Sequence, residues 1–414
     1  MAQQHSAEVG ETKRNISSKK SVRVTKARRV QAQARIKSGV IDLPFLMIVM
    51  VLLVFGIVMM FSASYVWALY DVEETGGDGA YYMKRQVIWA AFGLLAMLFF
   101  SYFDYHILQK KAIALASYII PLILLILVAI PGVGVTRNGA TRWLKIGPLP
   151  QFQPSEFMKL GIIIFFSYLI ARNYKEMKKF KCGILMFGAF LMPVVLLMMK
   201  QPHLSGTLLI CAIAFVLIFV GGARILHFMI LAAVGVAGIA AFVLYKVNVE
   251  GFTYFMKRIE SWRDPFSDML NSTWQTCQSL IAIGSGGVFG LGLGNSRQKY
   301  LYLPETKNDF VFAIVCEELG FVGAMVVIIL FVLFVFRGFY IASKACDKFG
   351  MMLAMGLTVQ IGIQAFLNIA VVTNAVPNTG ISLPFFSYGG TALLMQLAQM
   401  GIMLNISRQA SLDN

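Results

Sequence analysis

The sequence predicts an all-α integral membrane protein with about ten transmembrane helices. Of its 414 residues, 58% are hydrophobic and only 14% are charged, whereas soluble domains are about half apolar and about a quarter charged. Apolar runs close to the roughly 20 residues that a bilayer-spanning helix needs recur along the chain. About ten such spans and their connections use up this length, which leaves no room for a large soluble domain.

The ten predicted spans are long apolar runs separated by polar connections. They fall at 43–66, 86–103, 112–130, 157–172, 183–199, 207–222, 226–245, 310–336, 351–373 and 388–406. The membrane domain is therefore predicted at 43–406, between a tail at 1–42 that we expect to be disordered and a short tail at 407–414. An even number of spans places both tails on one side of the membrane.

Positive charge indicates that this side is the cytoplasm. The net charge is +16, and much of it lies in the first tail, where ten cations accompany two glutamates. A basic tail beside a first apolar span is typical of a cytoplasmic terminus that contacts anionic lipid, an interpretation we favour over nucleic-acid binding. The connections predicted to be cytoplasmic carry further cations, as the positive-inside rule requires. They include Lys110, Lys111, Arg172, Lys175, Arg224, Arg337, Lys344, Lys348 and Arg408.

Two connections predicted on the outer side stand out. Residues 131–156 carry Arg137, Arg142 and Lys145 against the topological preference, so these cations either bind an anionic ligand or contact lipid headgroups. Residues 246–309, between the seventh and eighth spans, form a much longer loop in which aromatic residues alternate with cations. That composition favours an interfacial or ligand-binding surface over disorder.

Four ionisable residues lie in or beside predicted spans, where charges are costly and usually functional. Glu156 and Lys159 lie at the start of the fourth span, and Glu317 and Glu318 lie in the eighth, about 12 Å below Asp309. Lys159 either takes part in function or pairs with one of these glutamates to hold helices together. Asp309 differs because it is expected at the outer mouth of its span.

Two classes of protein are excluded or disfavoured. No GxxxxGK[ST] loop is present, and no GxGxxG follows a predicted strand, so the sequence disfavours a transporter with its own ATPase. The five cysteines are scattered without CxxC spacing, so neither a zinc site nor a disulfide framework is indicated.

Three segments resemble the hallmark motifs of the SEDS family (shape, elongation, division and sporulation), which includes FtsW, RodA and SpoVE. They are NGATRWLKIGPLPQFQPSEFMKL at 138–160, QSLIAIGSGGVFGLGLGNSRQKYLYLPETKNDFVFAIVCEELGFVG at 278–323 and NTGISLPFFSYGGTALL at 378–394. The likeness covers the chain from about residue 43. The basic tail and the phrase VPNTGISLPFFSYGGTAL are closer to the FtsW and SpoVE branch than to RodA.

The resemblance implies a peptidoglycan glycosyltransferase that polymerises lipid II at the outer face of the cytoplasmic membrane during division. The implied partners are lipid II, the nascent glycan strand, a class B penicillin-binding transpeptidase, other division-complex membrane proteins and the bilayer, with no nucleic acid. The family's essential aspartate falls on Asp309, and its conserved loop pattern falls on Arg142 and Trp143.

Two departures from the family pattern concern the outer mouth. Lys307 and Asn308 stand where the family commonly has His-Thr before the aspartate. The run QPHLSGT, with His203 and Ser205, stands where the family commonly has QPDLGT. Roles assumed for those neighbours do not carry over to this chain, although the role of Asp309 does.

The chemistry of the implied reaction assigns roles to these residues. A diphosphate leaves without needing a proton, so a single inverting displacement needs one base and some cations, unlike the two carboxylates of glycoside hydrolysis. We assign Asp309 as the general base, with a pKa raised by partial desolvation. Candidates for binding the diphosphate or headgroup are Arg142, Trp143, Lys145, Lys299 and Lys307, with or without a divalent cation such as Mg²⁺ or Mn²⁺.

Three alternatives remain open at this point. A lipid II flippase would use the intramembrane charges Lys159, Glu317 and Glu318 as a polar path, although no internal repeat typical of transporters is evident. A non-catalytic scaffold of the division machinery predicts that Asp309 is dispensable. A cell-shape or sporulation paralogue, of the RodA or SpoVE type, would catalyse the same polymerisation.

Overall fold

The structure is a computed structural model that describes residues 39–137, 140–145, 147, 151–201, 203–229, 262–269, 271 and 273–410. The predictions for the basic tail before residue 39, for residues 411–414 and for most of the predicted span at 226–245 lie outside these residues.

Ten helices of 12 or more residues make up most of the described chain. They are α1 (Leu43–Tyr70), α2 (Tyr81–Tyr102), α3 (Lys111–Ala129), α4 (Pro154–Asn173), α5 (Met186–Lys200), α6 (Leu204–Val220), α7 (Trp274–Ser285), α8 (Val311–Lys344), α9 (Lys348–Val372) and α10 (Gly390–Gln409). Shorter pieces are an α-helical turn at Val72–Thr75, 3₁₀ turns at Tyr105–Ile107 and Tyr174–Glu176, and a π-helical segment at Lys181–Leu185 that leads into α5.

Among the described residues, seven helical segments are long and apolar enough to cross a membrane: α1 to α5, α8 and α9, with α4 and α5 counted with their adjoining turns. Helix α6 is apolar but has only 17 residues. Helix α10 is less apolar because it carries Gln396, Gln399 and Asn405, all buried among other helices. The predicted all-α membrane fold is confirmed, whereas the described residues do not establish a count of ten spans.

The two ends of the membrane domain meet at one face. Asp42 caps α1 by accepting a hydrogen bond from the backbone N–H of Phe45 at 2.9 Å, and it forms a 2.9 Å ion pair with Arg337 near the end of α8. Its own backbone N–H donates to the hydroxyl of Ser407, near the end of α10, at 3.2 Å. The start of α1 and the end of α10 therefore lie on the same side, as an even number of crossings requires.

Helix α8 is kinked, and the glycine-rich run before it fills the kink. Gly320 has φ 66° and ψ −165°, which breaks the helix and frees carbonyl groups one turn earlier. The carbonyls of Glu317 and Glu318 instead accept hydrogen bonds from the backbone N–H groups of Leu291 and Gly292, each at 3.0 Å. Free backbone groups at membrane depth are tolerated only when protein satisfies them. This part of the predicted outer loop therefore packs beside α8 within the membrane domain.

The buried glutamates of α8 hold that run in place. Glu318 pairs with Lys299 at 2.9 Å and accepts a 2.6 Å hydrogen bond from the hydroxyl of Ser62 on α1. Glu317 accepts hydrogen bonds from the hydroxyl of Ser296 and, at 2.8 Å, from the backbone N–H of Arg297. Both glutamates and Lys299 are almost fully buried. These charges join α1, α8 and the segment after the glycine-rich run.

A short antiparallel hairpin follows α3 and is an addition to the predicted helical fold. Its strands are β1 (Gly134–Arg137) and β2 (Ala140–Leu144). The pairing passes from Val135–Trp143 to Thr136–Thr141, which places a β-bulge at Arg142, and bulges re-aim side chains. Leu144 is buried and Arg142 is half-buried, and the charge of Arg142 reaches Asp309 and His203.

Candidate active site

Asp309 lies in a tight turn just before α8. The backbone N–H groups of Asn308 and Phe310 donate to the carbonyl of Glu305 at 3.0 and 3.3 Å, and Glu305 has a positive φ of 55°. The side-chain amide of Asn368, on α9, donates to the backbone carbonyl of Asp309 at 2.7 Å. Contacts within the turn and from α9 thus fix the position of Asp309.

The carboxyl group of Asp309 is enclosed by protein although part of its surface remains open to solvent. A Cβ atom built on Gly380 would lie 3.2 Å from Oδ2 of Asp309, so the loop before α10 closes over the carboxyl. Burial raises the pKa of Asp309 to about 7, the negative charge of Glu305 adds to the rise, and the positive charge of Arg142 opposes it. A carboxyl that titrates near pH 7 is suited to accept a proton under physiological conditions.

Arg142 connects the hairpin to this site. Its charge acts on two groups, the carboxyl of Asp309 and the imidazole of His203. The sequence prediction that the cations of 131–156 bind an anionic ligand or contact lipid headgroups stays a prediction. Arg142, on β2, is the cation of this connection that lies within electrostatic reach of Asp309.

A second polar layer lies beneath the site. Lys159 on α4 forms a 2.8 Å ion pair with Glu156 and donates a 3.2 Å hydrogen bond to the side-chain oxygen of Gln364 on α9. Gln364 in turn donates to the backbone carbonyl of Ser382 at 3.0 Å. Of the partners considered from sequence, Lys159 therefore pairs with Glu156, whereas the glutamates of α8 have other partners.

His203 belongs to the same cluster. It precedes α6, its side chain is buried, and its ring lies against Gly206, where a built Cβ would come within 2.5 Å of Cε1. Burial, followed by the positive charges of Arg142 and Lys159, lowers the pKa of His203 to about 3. The imidazole is therefore neutral near pH 7. Two residues later, the hydroxyl of Ser205 donates to the backbone carbonyl of Gly380 at 3.4 Å. This hydrogen bond connects the start of α6 to the loop that covers Asp309.

The three lysines predicted to bind the diphosphate have surroundings different from those of Arg142. Lys299 is buried in its ion pair with Glu318. Lys307 donates to the hydroxyl of Tyr82 at 2.6 Å and lies over the rings of Tyr82 and Trp67. Lys145 is exposed at the end of β2.

Sequence reasoning assigned no role to three residues that shape the site. Glu305 was part of a quoted motif, but only the fold shows that its charge reaches Asp309. Gly380 was also part of a quoted motif, but only the fold shows that it lies against Asp309. Asn368 is distant in sequence and carried no signal of its own. The first departure from the family pattern, at Lys307 and Asn308, has structural partners: Asn308 donates to the Glu305 carboxylate at 2.5 Å, and its carbonyl accepts from the hydroxyl of Ser387 at 2.6 Å.

Within the described part of the chain, no three His, Cys, Asp or Glu side chains converge as a metal site would require. The acidic side chains nearest the site are Asp309, Glu305 and Glu156, and the last is engaged by Lys159.

Known proteins resemble the chain along most of its length. A family model for the cell cycle proteins FtsW, RodA and SpoVE matches residues 43–412. Stage V sporulation protein E of Bacillus subtilis (strain 168) is 41% identical over 89% of this chain and 97% of its own length. The probable peptidoglycan glycosyltransferase FtsW of Trichlorobacter lovleyi is 40% identical over 88% of this chain and 93% of its own.

Solved structures share the fold. The rod shape determining protein RodA of Thermus thermophilus superposes with a TM-score of 0.63 at 26% identity, covering 90% of this chain and 99% of that one. A chain from a peptidoglycan synthase complex, described as coordinating polymerization and crosslinking, gives a TM-score of 0.71 at the same identity and coverage. The chain therefore belongs to the FtsW/RodA/SpoVE family of cell cycle proteins.

Proposed function

We propose that the chain is a peptidoglycan glycosyltransferase that polymerises lipid II into glycan strands during cell division. The observation that carries this proposal is the placement of Asp309, a carboxyl with a pKa near 7, beside Arg142 at the mouth of the membrane domain. A base next to a cation matches a reaction in which a hydroxyl loses a proton and a diphosphate departs.

Asp309 is proposed to act as the general base. Its carboxylate takes the proton of the acceptor sugar's 4-hydroxyl while that oxygen attacks the anomeric carbon of the donor. The bond from this carbon to the diphosphate breaks, and its electron pair leaves with the undecaprenyl diphosphate. A single displacement of this kind inverts the configuration at the anomeric carbon. General base catalysis is typically worth about 10²- to 10⁴-fold in rate.

Arg142 is proposed to hold the diphosphate, because a guanidinium forms two parallel hydrogen bonds to phosphate oxygens. His203 and Lys159 lie behind it as a neutral donor and a paired cation. Lys299 is less suited to this role because it is buried in an ion pair with Glu318, and Lys307 is less suited because it lies over the rings of Tyr82 and Trp67. Trp143 and Lys145, on the same hairpin, are left as candidates for contacts with the rest of the headgroup.

The sidedness and the partner are also proposals. Cations of the connecting segments gather at the face where α1 begins and α10 ends, so that face is assigned to the cytoplasm and Asp309 to the outer side. The structural neighbour that belongs to a peptidoglycan synthase complex supports a class B penicillin-binding transpeptidase as partner.

The septum is the proposed location because the FtsW relatives and the basic tail favour the division branch.

The test is polymerisation of labelled lipid II by the purified full chain, with and without its cognate transpeptidase. Wild type is compared with Asp309→Ala and with Asp78→Ala, which removes an exposed carboxylate paired only at the surface with Lys84. We expect glycan ladders from wild type and Asp78→Ala and none from Asp309→Ala. If no variant makes glycan while wild type moves lipid II across vesicles, the flippase alternative replaces this proposal.

A further inference from the structure

A small basic pocket lies on the membrane face opposite Asp309. It has a volume of about 360 Å³ and is lined by His106, Gln109 and Lys110 from the turn before α3 and by Tyr168, Ala171 and Arg172 from the end of α4. The end of α10 contacts this turn, because Gln409 donates to the carboxylate of Asp104 at 3.2 Å and Asn405 accepts from the backbone N–H of Tyr105 at 3.1 Å. The pocket therefore shares its face with both described ends of the chain.

The lining of the pocket is suited to an anion. Lys110 and Arg172 are positively charged and exposed, and the side-chain amide of Gln109 offers further N–H groups. Arg172 is oriented by a 2.9 Å hydrogen bond to the hydroxyl of Tyr168. No carboxylate is among the residues that line the pocket.

The two nearby carboxylates are already engaged. Asp104 lies 2.8 Å from Nδ1 of His106. Asp347 caps α9 and accepts a 2.5 Å hydrogen bond from the hydroxyl of Tyr105. Asp347 also lies 3.8 Å from Nε2 of His106, so both ring nitrogens of His106 face carboxylates. The positive charge that a ligand in the pocket would meet is therefore that of Lys110 and Arg172.

The position of the pocket identifies the kind of anion. Helix α3 begins at Lys111, directly after the pocket, so the pocket lies where a transmembrane helix emerges and where phospholipid phosphates sit. Leu115, Ile119 and Ile123 follow Lys111 at four-residue spacing, and all three are exposed. Residues spaced by four form one stripe on a helix. An apolar stripe that leads away from a basic pocket fits acyl chains attached to a phosphate headgroup.

We propose that this pocket binds the phosphate headgroup of an anionic phospholipid, with its acyl chains along the exposed stripe of α3. Basic pockets between membrane helices on the cytoplasmic side bind such headgroups by the charge of their Lys and Arg residues. The bound lipid would join the turn before α3 to the end of α4. The inference does not depend on the proposed transferase activity.

The test is native mass spectrometry of the full chain in detergent, with phosphatidylglycerol or phosphatidylethanolamine of identical acyl chains. Wild type is expected to retain phosphatidylglycerol in preference to the zwitterionic lipid. The double variant Lys110→Gln/Arg172→Gln is expected to bind phosphatidylglycerol about thirty-fold more weakly. The matched control Lys175→Gln/Lys178→Gln removes two exposed cations close by that do not line the pocket, and it should change binding less than about twofold.

Two further measurements test whether the charges of the pocket and the acyl chains of the lipid are both needed for binding. The charge-conserving variant Lys110→Arg/Arg172→Lys should retain the lipid, which shows that the two positive charges, and not the exact side chains, hold it. Soluble glycerol 3-phosphate, which has the same phosphate chemistry without acyl chains, should not displace the lipid. Equal losses in the pocket and control variants, or displacement by glycerol 3-phosphate at the lipid's own concentration, would overturn the proposal.

Discussion

The pKa of Asp309 predicts a pH dependence that an ordinary carboxyl would not give. If Asp309 is the general base, kcat/KM follows the deprotonated fraction of the free enzyme. With a pKa of about 7, this fraction rises about thirty-fold between pH 5.5 and 8.5, since each pH unit below the pKa costs about tenfold. A carboxyl with the ordinary aspartate pKa of 3.8 would be almost fully ionised throughout that range.

The assay is the initial rate of glycan formation from labelled lipid II at low substrate concentration, measured across this pH range. Glu305→Gln removes a negative charge that raises the pKa of Asp309, so its acidic limb is expected at lower pH than that of wild type. This variant separates the titration of Asp309 from that of the lipid II diphosphate, which Glu305→Gln leaves in place. A flat profile in wild type, or an acidic limb that Glu305→Gln leaves unmoved, would refute the assignment of the limb to Asp309.

Three further predictions concern the packing around the site. Gly380→Ala places a methyl group 3.2 Å from Oδ2 of Asp309 at a residue with φ +67°, so kcat should fall at least about tenfold, measured with the same polymerisation assay. Asp309→Asn should raise the Tm relative to wild type more at pH 8 than at pH 5, because a raised carboxyl pKa lowers the stability of the native state as pH rises toward 7; equal shifts at both pH values would contradict this. Lys299→Met leaves Glu318 buried without its cation and should cost about 3–5 kcal/mol in thermal unfolding, whereas Lys299→Met/Glu318→Leu should recover most of that loss. No recovery in the double variant would contradict the explanation that the loss comes from an unpaired buried charge.

Much of the fold was readable because each span is a separate apolar run. The helices at Leu43–Tyr70 and Lys111–Ala129 lie where hydropathy predicts them. The glycine-rich run was harder to interpret, since its packing depends on the kink at Gly320. Local sequence does not show that free carbonyls on one segment will be satisfied by N–H groups on another.

The candidate site was predictable only where a single residue stood out in its own segment. Asp309 and Arg142 were chosen from motifs and from charge that opposes the topology, and the structure places the two within electrostatic reach. Lys299 was chosen on charge alone, although its burial against Glu318 gives it a structural role. His203 was unexplained from sequence because its neighbours, Arg142 and Lys159, come from other elements of the fold.

The most direct test of the account compares lipid II binding with the rate of bond formation in Asp309→Asn. The asparagine keeps the shape of the side chain and removes its ability to accept the proton. The account predicts binding within about twofold of wild type and single-turnover glycan formation at least about 10²-fold slower. Glycan formation at the wild-type rate with unchanged binding would contradict the claim that Asp309 is the catalytic base.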